Sequence, residues 1–159
     1  MENVKDDSFD IGIAHYKARD LFSKESEKKV VAAIEKAELN TSGEIRVHIE
    51  KKCIKDVLDR ATEVFENLKI HKTKLRNGIL FYLAVEDRKF AILGDAGINK
   101  LVPSNFWDGI KEEMKKYFLD GEFVQGLEIG ICMAGEKLKE YFPYEEGDQN
   151  ELSNQISFG

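Results

Sequence analysis

Hydrophobic positions along the chain alternate between a helical rhythm and a two-residue rhythm, and the switches mark out a series of elements. Ser23 is a good N-cap, and Glu25 and Glu27 follow where a helix dipole favours acids. Val30, Val31, Ile34 and Ala37 then share one face, predicting a helix to about Leu39 that Asn40-Thr41-Ser42-Gly43 stops. EIRVHIE (44–50) alternates, with Ile45, Val47 and Ile49 on one side and Glu44, Arg46, His48 and Glu50 on the other. That pattern predicts a strand with one exposed face near a sheet edge. Ile54, Val57, Leu58, Ala61, Val64, Phe65 and Leu68 keep helical spacing and predict an amphipathic helix from Ile54 to Leu68.

GILFYLAV (78–85) is apolar throughout, as a central strand buried on both faces would be. The polar turn Glu86-Asp87-Arg88-Lys89 and the run FAIL predict an antiparallel hairpin. A third helix is expected after Pro103-Ser104-Asn105, carrying Phe106, Trp107, Ile110, Met114, Tyr117 and Phe118 and broken by Asp120-Gly121. A fourth runs from Glu122 to Tyr141, with Gly126 and Gly130 reading as close-packing positions. Residues 1–20 form an N-terminal arm in which Phe9, Ile11 and Ile13 alternate; residues 144–159 are polar and acidic and read as a flexible C-terminal tail in which Ile156 and Phe158 could dock. The order α, β, α, β, β, α, α defines an α/β domain over 21–143, with helices covering a short mixed sheet.

A βαβ unit makes its two strands parallel and right-handed. The starts of the first two strands and the end of the third, antiparallel strand then meet at one edge. Glu44, Asn77 and Asp95 sit at those three ends, with Asp108 in the first turn of the following helix; Asp87 falls at the opposite end. Oxygen ligands of this kind suit a hard cation such as calcium or magnesium. The spacing alone also allows Gly94-Asp95-Ala96-Gly97 to be a plain turn, or to present Asp95 to a phosphate-bearing ligand. No EF-hand loop, P-loop or GxSxG motif is present, and Cys53 is not followed by a phosphatase-type arginine.

Composition narrows the classes of partner. With 30 acidic and 24 basic residues the chain carries a formal charge of −6, which argues against nucleic acid as the main partner. Cys53 and Cys132 are isolated and read as reduced structural thiols. The charged N-terminus has no signal-peptide core, and no apolar run approaches the ~18 residues of a membrane span, so a cytoplasmic location is the expectation.

TSGEIRVHIE, RNGILFYLAVEDRKFAILGDAGINKLVPSNFWD and FVQGLEIGICMAGEKLKEYFP resemble the TPM domain over about residues 20–143. The resemblance is to the short, soluble bacterial branch of that family. It implies a three-layer α/β/α sandwich, associates the fold with calcium binding, and relates the chain to thylakoid lumen proteins described as acid phosphatases. Glu44, Asn77 and the Asp95 loop carry over from the family pattern. Arg76, however, stands where an aspartate is common before the Asn-Gly pair, replacing a carboxylate with a positive charge. Three functions are therefore expected, in this order: divalent-cation binding at the acidic edge, metal-assisted phosphatase, and protein-interaction module.

Overall fold

The computed structural model describes residues 23–159; the N-terminal arm with Phe9, Ile11 and Ile13 lies outside the described residues. The sheet contains β1 (Glu44–Glu50), β2 (Gly78–Ala84), β3 (Lys89–Gly94) and β4 (Ser157–Phe158). They lie in the order β3-β2-β1-β4. β1 and β2 are parallel, with Glu44 opposite Gly78, and β2 and β3 form the expected antiparallel hairpin, with Ile79 opposite Gly94. The starts of β1 and β2 and the end of β3 therefore do share one edge.

Five α-helices and a 3₁₀ turn at Ile70–Lys72 complete the described elements: α1 (Lys24–Ala37), α2 (Val57–Asn67), α3 (Ala96–Asn99), α4 (Asp108–Leu119) and α5 (Phe123–Leu138). Side chains of alternate strand residues divide the core into two clusters. Ile45, Val47, Ile79, Phe81, Phe90 and Ile92 pack with α1, α4 and α5 on one face. Leu80, Tyr82, Ala91 and Leu93 pack with α2 on the other. This is the three-layer α/β/α arrangement. Gly126 and Gly130 let α5 approach α4: a Cβ at Gly130 would lie 2.4 Å from the Met114 Sδ, and one at Gly126 2.5 Å from the Phe118 ring.

Several boundaries differ from the sequence pattern for local reasons. α2 starts at Val57 rather than Ile54, because Asp56 caps it by accepting the amides of Leu58 (2.9 Å) and Asp59 (3.3 Å); Ile54 is left 93 % exposed. Phe106 and Trp107 precede α4 and plug the core instead of riding on the helix. α3 is a single turn that four residues cannot signal by periodicity. Cys53 is buried, as a structural thiol would be, whereas Cys132 is exposed.

The largest departure is at the C-terminus. Polar composition suggests a flexible tail, yet β4 pairs in parallel with β1, His48 opposite Ser157 and Ile49 opposite Phe158. Ile156 and Phe158 pack against the larger core cluster, and the Gly159 amide donates to the Ile49 carbonyl (3.0 Å). β1 is thus an inner strand, and its polar side is not exposed: Glu44, His48 and Glu50 are all buried.

Candidate functional site

Glu44 opens β1 at the shared edge. Its Oε1 accepts the backbone amides of Glu151 and Leu152 (2.7 Å for Leu152), so the carboxylate holds the C-terminal segment against the sheet. Burial pushes its pKa up to about 7, although those two amides pull it down. Glu38, the C-cap of α1, lies beside it and accepts the amide of Ile45 (2.9 Å) through Oε2. Burial raises Glu38 to about 7 as well, and the negative charge of Glu44 adds to the rise. Glu38 is held by the Ile45 amide and the Asn154 side chain, and Glu44 by the two backbone amides with the Glu151 side chain beside them. A cleft of about 80 Å³ at this point is lined by Glu38, Ser42, Glu44, Asp148 and Asn150. A wider groove beside it, about 430 Å³, takes in Asn77, Asp148 and Glu151.

The other three residues expected at the site meet different fates. Asn77 does stand beside Glu44: the Glu44 amide donates to the Asn77 carbonyl (3.2 Å), and Asn77 Nδ2 donates to the Ser42 carbonyl (3.1 Å). Asp95 is at the same end of the sheet, but Arg76 grips it with both prongs of its guanidinium (2.7 and 2.9 Å). Asp95 also caps α3 by accepting the amide of Ala96 (2.8 Å). The Arg76 charge thus neutralises this carboxylate within the chain. Asp108 opens α4 with its side chain 59 % exposed and pairs with Lys111 (3.6 Å). Among the described residues, no group of three or more His, Cys, Asp or Glu side chains is arranged to hold a metal ion. The sequence pattern missed Glu38, Asp148 and Glu151, because their nearness to Glu44 depends on where α1 ends and on the docking of the C-terminal segment.

A second polar cluster lies further along β1. Arg60 on α2 donates twice to Glu50 (2.8 Å each), His48 Nε2 lies 3.0 Å from the same carboxylate, and the Tyr82 hydroxyl donates to it. Burial alone would raise Glu50, but the hydrogen bonds from Arg60, His48 and Tyr82 outweigh it and hold the carboxyl well below the usual range. His48 Nδ1 reaches Ser157 Oγ at 2.9 Å. This network ties α2 and β4 to the centre of the sheet. A groove of about 700 Å³ lies elsewhere, between α1 and α5, with Ala32, Ala33, Ile129 and Cys132 in its walls.

A short parallel βαβ unit, a hairpin and a buried acidic edge, enclosed between α2 and three helices, define a small α/β/α sandwich domain. The chain belongs to the TPM-domain family, whose model matches residues 15–137. It is similar to the BA42 protein of the psychrophilic bacterium Bizionia argentinensis, known from an NMR structure, at 52 % identity and a TM-score of 0.83, covering 87 % of this chain and 95 % of that one. The N-terminal domain of a P. gingivalis protein shares the fold at 17 % identity and a TM-score of 0.65, covering 79 % of this chain and 83 % of that one. The N-terminal domain of the cg2496 protein of Corynebacterium glutamicum does so at 12 % identity and a TM-score of 0.59, covering 85 % and 79 %. No curated protein matches the chain. Among the described residues no helix is long and apolar enough to cross a membrane.

Proposed function

We propose that this TPM domain binds a divalent cation, calcium before magnesium, at the acidic edge where β1 begins. The observation that carries the reading is the pair Glu38 and Glu44. Two neighbouring carboxyls are raised to about 7, chiefly by burial, with the charge of Glu44 adding to the rise of Glu38 and that of Glu151 to the rise of Glu44. Such a pair keeps a proton where a cation could sit instead. Glu44 supplies the central oxygen of the site, with Glu38 beside it. The Ser42 and Asn77 carbonyls stand close by, and Asp148 and Glu151 are within the same grooves. Calcium accepts six to eight such oxygens in a flexible shell, which suits ligands drawn from a loop segment. Asp95, engaged by Arg76, and Asp108, paired with Lys111, are secondary in this reading. The role is structural or regulatory, because the segment that lines the site is also the segment that closes the sheet.

A metal-assisted phosphatase ranks below it. The Arg76 guanidinium that could have gripped a phosphate is already engaged by Asp95 on two prongs. An interaction module remains compatible with cation binding and needs no separate site.

The test is thermal unfolding of metal-free protein with and without Ca²⁺. At a hundredfold excess over the dissociation constant, binding stabilises the folded chain by about 2.7 kcal/mol. The parent protein should show that shift and Glu44→Gln should lose it. An equal shift in both would place the cation elsewhere.

A further inference from the structure

Six large hydrophobic side chains are exposed among the described residues, and four of them stand at the end of the sheet where β1 and β2 begin: Leu39, Leu75, Leu101 and Tyr144, 46 % to 69 % exposed. Backbone contacts bring them there. Thr41, two residues after Leu39, bridges to Pro143, which precedes Tyr144. The wider groove beside the acidic edge then runs from Glu145 and Asp148 to Lys74 and Leu75. α3 rests on the loop that carries Leu75: the Gly97 amide donates to the Arg76 carbonyl (2.9 Å), and a Cβ at Gly97 would lie 2.2 Å from the Leu75 carbonyl oxygen. Leu101 follows α3 within about a turn of that contact. Single exposed leucines are ordinary, but a group of this kind marks an interaction surface.

Charge divides this end of the molecule into two halves. The loop from α2 to β2 contributes Lys69, Lys72 and Lys74, and the end of α3 contributes Lys100; all four are exposed. No acid occurs anywhere from Asn67 to Val85. Across the groove stand the exposed Glu145, Glu146 and Asp148. The halves adjoin, because the Lys74 amide donates to the Glu151 carboxylate (3.1 Å). Among the described residues, however, none of these four lysines and none of Glu145, Glu146 and Asp148 is in an ion pair. Elsewhere Lys51, Lys55, Lys111 and Lys116 each pair with an acid of the same chain.

We infer that this end is the interface of a two-fold dimer, in which the basic loop of one copy meets the acidic segment of the other around Leu75, Leu101 and Tyr144. A two-fold interface needs a feature and its complement side by side on one surface, because residue i meets j while j meets i. A basic half beside an acidic half, with apolar side chains in both, has that form. An anionic lipid surface would attract the lysines and be repelled by 145–148, and a basic partner would meet the reverse conflict; a second copy satisfies both halves. Apolar contacts within a charged rim are also the usual anatomy of an interface. Arg76 takes no part, since Asp95 holds it. Glu38 and Glu44 lie outside the contact, so the inference does not rest on cation binding.

The experiment is sedimentation equilibrium of the metal-free full chain from about 10 µM to about 500 µM, a range that brackets a dissociation constant between micromolar and millimolar. The mass should rise from one copy toward two and no further. Two charge reversals follow, Lys72→Glu with Lys100→Glu, and Glu145→Lys with Glu146→Lys. Each should weaken self-association by about tenfold or more, because like charges then face each other. An equimolar mixture of the two variants should dimerise again, since every basic half then meets an acidic one. That rescue also excludes misfolding as the cause of the losses. A parent that stays single at the highest concentration would overturn the inference and leave this end to a different partner. So would a dimer indifferent to both reversals, or a mixture that fails to recover. Mass growing past two copies would overturn the two-fold arrangement in favour of head-to-tail chains.

Discussion

Glu44 shows how one side chain can set a pH dependence. Its pKa, like that of Glu38, is raised from 4.5 to about 7. Between those values the folded chain keeps protons that the unfolded chain has already released, so stability falls as pH rises from about 4.5 to about 7 and levels off above. Glu44→Gln retains an acceptor for the Glu151 and Leu152 amides without the charge. At pH 8 it should be more stable than the parent by on the order of 1 kcal/mol, and near pH 5 the two should be alike. Urea midpoints at the two pH values check this; a variant less stable at pH 8 would mean that the ionised form holds the segment. Glu44 and Asn77 could be picked out from the sequence because strand topology alone brings β1 and β2 together. Asp95 could not be judged that way: its pairing depends on the fold of the loop that carries Arg76, a residue at a positive φ of 52°.

At the scale of elements, periodicity located both inner strands, the hairpin and the long helices, because each buries a continuous face. It misread β1. Alternating polar residues look the same whether they meet water or, as here, Arg60, Tyr82 and Ser157, and only tertiary packing distinguishes the two. It also could not place the start of α2, since Ile54 keeps the helical spacing but lies before the Asp56 cap. Gly126 and Gly130 were read correctly as packing positions, and the contact makes a firm prediction. Gly130→Ala forces a Cβ into Met114 at 2.4 Å and should destabilise the fold by about 1–3 kcal/mol despite alanine's better helix propensity. Chemical denaturation measures it; a stabilised variant would show that α4 and α5 can part freely.

For the whole molecule, the acidic edge and the C-terminal segment form one unit. Glu44 binds the amides of 151 and 152, Arg46 Nη1 donates to the Ser153 carbonyl (3.2 Å), and β4 completes the sheet. This coupling was invisible in composition, because a polar segment anchored through its backbone carries little hydrophobic signal beyond Ile156 and Phe158. It predicts long-range behaviour. Phe158→Asp places a charge against the core cluster that Phe158 packs on and should release the segment. Glu44 then loses the burial that raises it, and its titration midpoint, followed by carboxyl NMR, should move from about 7 toward the ordinary value near 4.5. A midpoint that stays at about 7 would show that the edge is buried without the segment.

The most direct test of cation binding is a Ca²⁺ titration of metal-free protein followed by amide NMR shifts, with Mg²⁺ for comparison. Saturable shifts should cluster at Glu38, Ser42–Glu44, Asn77 and the segment from Asp148 to Leu152, and vanish in Glu44→Gln. No saturable shift at millimolar Ca²⁺, or the same shifts in Glu44→Gln, would contradict the proposed site.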